Sequence, residues 1–300
     1  MLCFLGLGLA WGVPYLLIKV AVRELSPAEL VLARTTIAAA LLLPVAAARG
    51  AVLPALRHWK PLLAFTVVEI AIPWVTLGQA ERTLPSSTTG LLIAAVPIVG
   101  IAVAYLGGRA EPLTATAWLG IALGIAGVAA LVGLDVGGSD LGSVAEIAVV
   151  VVCYAVGPAI MSRHLGELPA IGVIASALTA ASVLYAPLVL ASDGVPGDIP
   201  APSVVLSVLL LATVCTAAAF LMLFALVAEI GPVRATTITY VNPAVAVAAG
   251  VVVLGEALTV WTVVGFALVV AGSYLVNRRS RGVPHPPPVQ VALDPTPVDC

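Results

Sequence analysis

The feature that most constrains this chain is a succession of apolar stretches, each close to the roughly 20 residues a helix needs to cross a hydrocarbon core of about 30 Å. They run over 2–20, 27–48, 59–80, 86–106, 114–133, 143–163, 168–190, 204–228, 233–254 and 260–277. Short breaks separate them, among them Ser26-Pro27, Arg49-Gly50, Gly107-Gly108-Arg109, the run from Gly137 to Gly142, Asp193 to Pro202, and Gly231-Pro232. Hydrophobic residues make up 61% of the 300 and charged residues 9%, against about a quarter charged in a soluble domain. That excludes a free cytosolic enzyme, a nucleic-acid binder and a disordered chain. Because lipid satisfies no backbone polar group, the expected class is an all-α integral membrane protein with ten transmembrane helices.

Orientation follows from the basic residues. With the N-terminus in the cytoplasm, Arg49, Arg57, Lys60, Arg109, Arg163, Arg234, Arg278, Arg279 and Arg281 lie inside, and only Lys19, Arg23 and Arg82 outside. Both ends are therefore expected in the cytoplasm, and residues 278–300, rich in proline, read as a disordered cytoplasmic tail. The first stretch lacks the basic start and small-residue cleavage site of a signal peptide and is expected to stay as a span. Cys3, Cys153, Cys215 and Cys300 lie far apart, without metal-ligand or disulfide-framework spacing, so no metal or cofactor is expected.

The chain repeats itself. A shift of 143 residues places Trp11 on Tyr154, Glu24 on Glu167 and Pro44 on Pro187. At 145, Glu111-Pro112-Leu113-Thr114 lies over Glu256-Ala257-Leu258-Thr259, Gly120 over Gly265 and Gly127 over Gly272; at 146, Pro97 lies over Pro243. Two five-span repeats, 1–134 and 141–277, are expected. Five is odd, so the second enters the membrane from the opposite side, the inverted arrangement that alternating-access carriers use.

The same residues carry a resemblance. Trp11-Gly12 in the first span, Arg34 early in the second, the Pro97 to Glu111 and Pro243 to Glu256 spacings, and a glycine-bearing closing span in each half resemble a drug/metabolite transporter of the EamA type, over residues 1–277. The resemblance implies a ten-helix bundle with a central cavity between the halves, commonly used to export small metabolites or amino acids. The Lys19 and Glu69 charges depart from it.

Charge inside a span costs about 2.5–3.5 kcal/mol at the helix centre and needs a reason. Glu69 lies about 15 Å into the third span and Arg34 about 10 Å into the second, at 1.5 Å per residue. Their heights allow an ion pair across neighbouring helices. Either that pair fixes helix register, or the two face the cavity, with Arg34 holding a carboxylate and Glu69 a proton or a cationic group. At the shift of 145, Glu69 meets Val214, so charge within the bundle is asymmetric. Lys19 reads as snorkelling to the outer interface. Glu111 and Glu256 read as caps or gates ahead of helix starts. Trp11, Tyr15, Trp74, Gln79, Thr88, Tyr154, Tyr240 and Asn242 are the remaining candidate substrate contacts, and Pro97 and Pro243 the candidate hinges.

No GxxxxGK phosphate loop and no HExxH occurs, and His58, His164 and His285 fall in loops or tail. An intramembrane enzyme would depend on Glu69, the one acid this reading places deep. A passive pore has no use for two exchangeable gates. The expectation is a secondary transporter of the inner membrane, not an enzyme, moving a small-molecule substrate outward through the lipid bilayer, with an amino acid as the first guess and Glu69 as the candidate for proton coupling. The rival readings are a passive channel and a carboxylate enzyme.

Overall fold

The computed structural model describes residues 2–106, 114–131, 141–191, 200–230, 238 and 241–277. Among them the secondary structure is all helical. Six helices are long and apolar enough to cross a membrane: Pro27–Ala48, Trp59–Ala80, Ser86–Val103, Leu141–Leu165, Ala170–Ala191 and Pro202–Val227. Four shorter apolar helices, Leu5–Ala21, Ala115–Ala130, Val241–Leu254 and Val260–Leu275, also occur among the described residues. The tail from 278, Glu111 and Tyr240 lie outside the described residues.

Local sequence explains where the rods start, break and stop. Pro14 ends α1 (Leu2–Gly12) and opens α2 (Pro14–Ala21). Pro27 begins α3 (Pro27–Ala48) behind a capping box, in which Ser26 accepts from the Glu29 N–H at 3.2 Å and Glu29 from the Ser26 N–H at 2.6 Å. Gly50, at φ 64°, then closes α3, and the Ala51 N–H returns to the Ala46 carbonyl. After the short α4 (Val52–Arg57), the third rod is α5 (Trp59–Phe65), a π turn over Thr66–Ala71, and α6 (Ile72–Ala80), with Pro73 in the first turn of α6. The fourth is broken at Ala94-Ala95 into α7 (Ser86–Ile93) and α8 (Val96–Leu106), which Pro97 helps to start. Ser273 donates to the Ala94 carbonyl at 2.9 Å, satisfying a group the break frees.

The second half follows suit. After α9 (Ala115–Ala130) come α10 (Leu141–Ile160), which contains Pro158 and ends in a π turn over Met161–Leu165, and α11 (Ala170–Ala191). The eighth rod is α12 (Pro202–Ala212), a π turn over Thr213–Ala218, and α13 (Ala219–Ile230). Last come α14 (Val241–Leu254), with Pro243 in its first turn, and α15 (Val260–Asn277).

The most extensive packing joins α9 to α15, α3 to α11, α6 to α10, α7 to α14, and α2 to α12. Small residues permit the closest of these contacts. A Cβ on Gly272 would fall on the Gly120 carbonyl and the Gly124 N–H, and one on Gly265 would strike Leu131. Large apolar side chains such as Leu9, Leu41, Leu190, Val252 and Trp118 point outward, as lipid-facing positions require. Three apolar clusters fill the interior, one around Ile18, Leu84, Leu91 and Ile147, a second around Leu42, Ile70, Trp74 and Leu178, and a smaller one around Leu7, Ala219 and Leu226; Tyr154 packs against the first two.

Candidate functional site

One group of interior polar side chains lies where the first two clusters meet. Arg34, on α3, is 8% exposed. Its guanidinium lies 3.7 Å from the centroid of the Trp74 ring on α6, a cation–π stack that gains strength where water is excluded. Its Nε donates to Thr216 Oγ1 at 2.9 Å. Thr216 can accept because its own hydroxyl proton goes elsewhere, to the Leu211 carbonyl at 2.8 Å, five residues back in the π turn. The widened turn therefore aims one lone pair at Arg34. Tyr154 stands beside the Trp74 indole and, with Tyr15, within electrostatic reach of Arg34.

Glu69 sits in the other π turn. The carboxylate presses against α10 at Gly157, where any Cβ would overlap it, and its Oε2 is buried with no hydrogen-bond partner. The Tyr185 hydroxyl on α11 donates to the Ala71 carbonyl at 2.9 Å, holding the end of this turn. The ion pair expected between Arg34 and Glu69 does not form among the described residues: Arg34 is turned to Thr216 and Trp74, Glu69 to α10. The two side chains stand at heights that allow reach but face different ways, because α6 packs chiefly on α10 and α3 on α11. A second correction concerns register. The π turns Thr66–Ala71 and Thr213–Ala218 match at an offset of 147, which pairs Glu69 with Thr216 and not with Val214.

At the end of the bundle that holds Lys19 lies a cluster the sequence did not reveal. Glu81, the first residue past α6, is 0% exposed, and both its carboxylate oxygens lack hydrogen-bond partners. The expectation that only Glu69 is a deep acid is thus overturned. Lys19, half-buried, reaches the same end of the bundle, where its Nζ donates to the Glu81 carbonyl at 2.6 Å and the Leu84 carbonyl at 2.8 Å. Glu256 crosses between the halves to cap α7, accepting from the Ser86 N–H at 2.7 Å and the Ser87 N–H at 3.0 Å. Gly255, at φ 67°, makes the bend that delivers it. Burial pushes the Glu256 carboxyl up, but hydrogen bonds from Ser87 and Ser86 outweigh this and hold it below the ordinary glutamate value. Glu256 is therefore a cap, though of a helix in the other half; the helix that follows it starts from Thr259, which accepts from the Thr262 N–H at 3.0 Å.

The structure gathers Tyr15, Arg34, Glu69, Trp74 and Tyr154 from the expected residues. Trp11 is half-buried, edge-on to Phe220 with ring centroids 6.2 Å apart. Thr88 is buried on α7, away from the described hydrogen bonds of the cluster. Asn242 lies beside Gly12 with its Oδ1 buried and without a partner. Gln79 is exposed. A cavity of about 530 Å³ lined by Leu92, Ile98, Val99, Ile147 and Val151 is apolar and touches none of the candidate residues, so chemistry and not volume marks the site.

Known proteins resemble this chain in sequence and in fold. Residues 1–133 and 143–278 each match the EamA-like transporter family. The chain is 31% identical over 288 residues, 91% of both chains, to the uncharacterized inner membrane transporter YedA of Escherichia coli (strain K12). It is 29% identical over 281 residues, again 91% of both, to a probable terminal-alkyne amino-acid exporter of Streptantibioticus cattleyicolor. One solved crystal structure shares the fold, with a TM-score of 0.65 at 22% identity over 91% of this chain and 94% of that one.

Proposed function

Since this chain belongs to the EamA-like transporter family, we propose that it is a secondary carrier which exports a small carboxylate-bearing metabolite, an amino acid first among them, by alternating access across the inner membrane. The reading takes residues 1–134 and 141–277 as two inverted five-helix repeats, ten spans in all, with both termini and the tail from 278 in the cytoplasm. Several observations support it. Among the five most extensive contacts, replacing each rod by its counterpart five places along leaves the packing partners unchanged, since the first with the eighth becomes the sixth with the third and the other pairs map onto themselves. Contacts between counterparts run antiparallel: Gly272 meets Gly120 while Gly265 meets Gly127. The N-caps Thr114 and Thr259 recur at the same offset of 145 as the Glu-Pro/Ala-Leu-Thr segments.

The single observation that carries the substrate reading is the Arg34 guanidinium. It is held in the interior between the halves by an aromatic face and a hydroxyl, with no carboxylate of the described chain paired to it. A substrate carboxylate would complete that site with charge-assisted hydrogen bonds, while Glu69, buried and open at Oε2, suits an ammonium or a proton. Tyr15, Trp74 and Tyr154 would pack the apolar part. Pro97 and Pro243, each in the first turn of a helix, would be hinge points. The name of the Streptantibioticus relative favours an amino acid as cargo.

Counterflow in proteoliposomes tests the reading. Saturable uptake of labelled amino acid driven by unlabelled amino acid inside is the expected result. Ohmic current would mean a pore, and a covalently altered product an enzyme.

A further inference from the structure

We propose that Glu81 is a proton-binding site at the outer end of the bundle and that its proton keeps that end closed. The inference rests on the carrier reading above, which supplies an outer end that opens.

Glu81 sits on the connector between α6 and α7, wholly buried, with neither carboxylate oxygen hydrogen-bonded. Charged and titratable groups approach it from each side. Lys19 comes from α2, its ammonium donating to the Glu81 and Leu84 carbonyls and its charge acting on the Glu81 carboxyl. Tyr15, also on α2, is electrostatically coupled to it. Glu256 arrives from the connector after α14, held on the first amides of α7. Arg82 is its exposed chain neighbour. From α10 comes Ser143, whose hydroxyl lies 2.6 Å from that of Thr83.

An ionised carboxylate without donors in a dry site carries a desolvation cost that a proton removes. Closing the seam between α2, the 81–86 connector and Glu256 therefore favours the protonated acid; parting it exposes the carboxyl to external water, which takes the proton. Burial holds the Glu81 carboxyl well above the ordinary glutamate range; the Lys19 charge draws it down and the Glu256 charge pushes it up again. The sign follows by linkage. The closed form binds the proton more tightly, so closure is favoured as external pH falls, and the open form gains as pH rises from the ordinary glutamate value toward the raised one. The proton is exchanged with the outside only, so this site is a gate and moves no proton across the membrane.

The test uses full-length protein in liposomes, its native cysteines replaced by serine, with one cysteine at Ser87 in the seam. A membrane-impermeant maleimide reads its accessibility at external pH 5 to 8, internal pH fixed. Rates are divided by those of a cysteine at exposed Arg23, which removes the thiol's own titration. The ratio is expected to rise about tenfold with pH, the factor that follows from one pH unit of difference in proton affinity. It should be flat in Glu81→Gln and retained in Glu81→Asp. A flat ratio with Glu81 intact overturns the proposal without any Glu81 variant having to fold, and so does an equal slope in Glu81→Gln. Labelling needs no substrate, so a pH-dependent ratio without counterflow overturns the carrier reading alone.

Discussion

The two π turns occupy matching places in the third and eighth rods, Thr66–Ala71 and Thr213–Ala218, yet they present opposite chemistry. The first carries a carboxylate with an unpartnered oxygen; the second carries a hydroxyl already engaged with a guanidinium. The partner of the second, Arg34, has Ala177 as its counterpart on α11 at the 143 offset, so nothing in the other half can serve Glu69 as Arg34 serves Thr216. Backbone duplication has been kept while side-chain chemistry has diverged. The interior thus holds one cationic and one anionic side chain, Arg34 beside the second π turn and Glu69 within the first.

Four substitutions break or sharpen that contrast, in falling order of effect. Arg34→Ala removes the cation proposed to bind the substrate carboxylate and leaves Thr216 and Trp74 without their partner; truncating one side of that buried charge pair costs about 2–5 kcal/mol, so transport should fall roughly 100-fold, with Arg34→Lys recovering only part because an ammonium lacks the planar fork. Initial counterflow rates measure this. Glu69→Gln, which keeps the shape and removes the charge, should cut transport about tenfold while membrane expression stays near normal, on the order of the 1.5–3 kcal/mol of a charged hydrogen bond; equal losses of transport and expression would reduce Glu69 to a packing element. Thr216→Val deletes the acceptor that orients Arg34, and the loss of about 1–3 kcal/mol should appear as a higher half-saturating concentration with the maximal rate less affected. Tyr185→Phe touches only the carbonyl at the end of the first π turn, and about 1 kcal/mol of thermal stability is the expected cost, read as a lower melting temperature of purified protein with selectivity unchanged.

Much of the scaffold could be read from the sequence because lipid imposes a simple rule on it. Apolar length marked the rods, and Thr114, Thr259 and the paired glycines carried the repeat into the structure, where they cap helices and seat backbones. The π turns could not be read: no residue type announces a widened turn, although Pro73 hints at a lost amide. For that reason Glu69 was matched to the wrong counterpart. Arg34 was legible as an interior charge, but its facing was not, since depth along a helix says nothing of azimuth. Glu81 was missed for a related reason. Counted along its rod it ends a span, where water is expected, whereas the connector folds inward and Lys19 reaches over it.

The glycine seam between α9 and α15 carries one more implication. Two helices whose main chains touch have no side chains there to yield, and sliding one along the other would drive amide into carbonyl. This pair therefore behaves as a stiff keel, and deformation during a transport cycle is left to the softer joints at Val13, at Ala94-Ala95 and in the π turns.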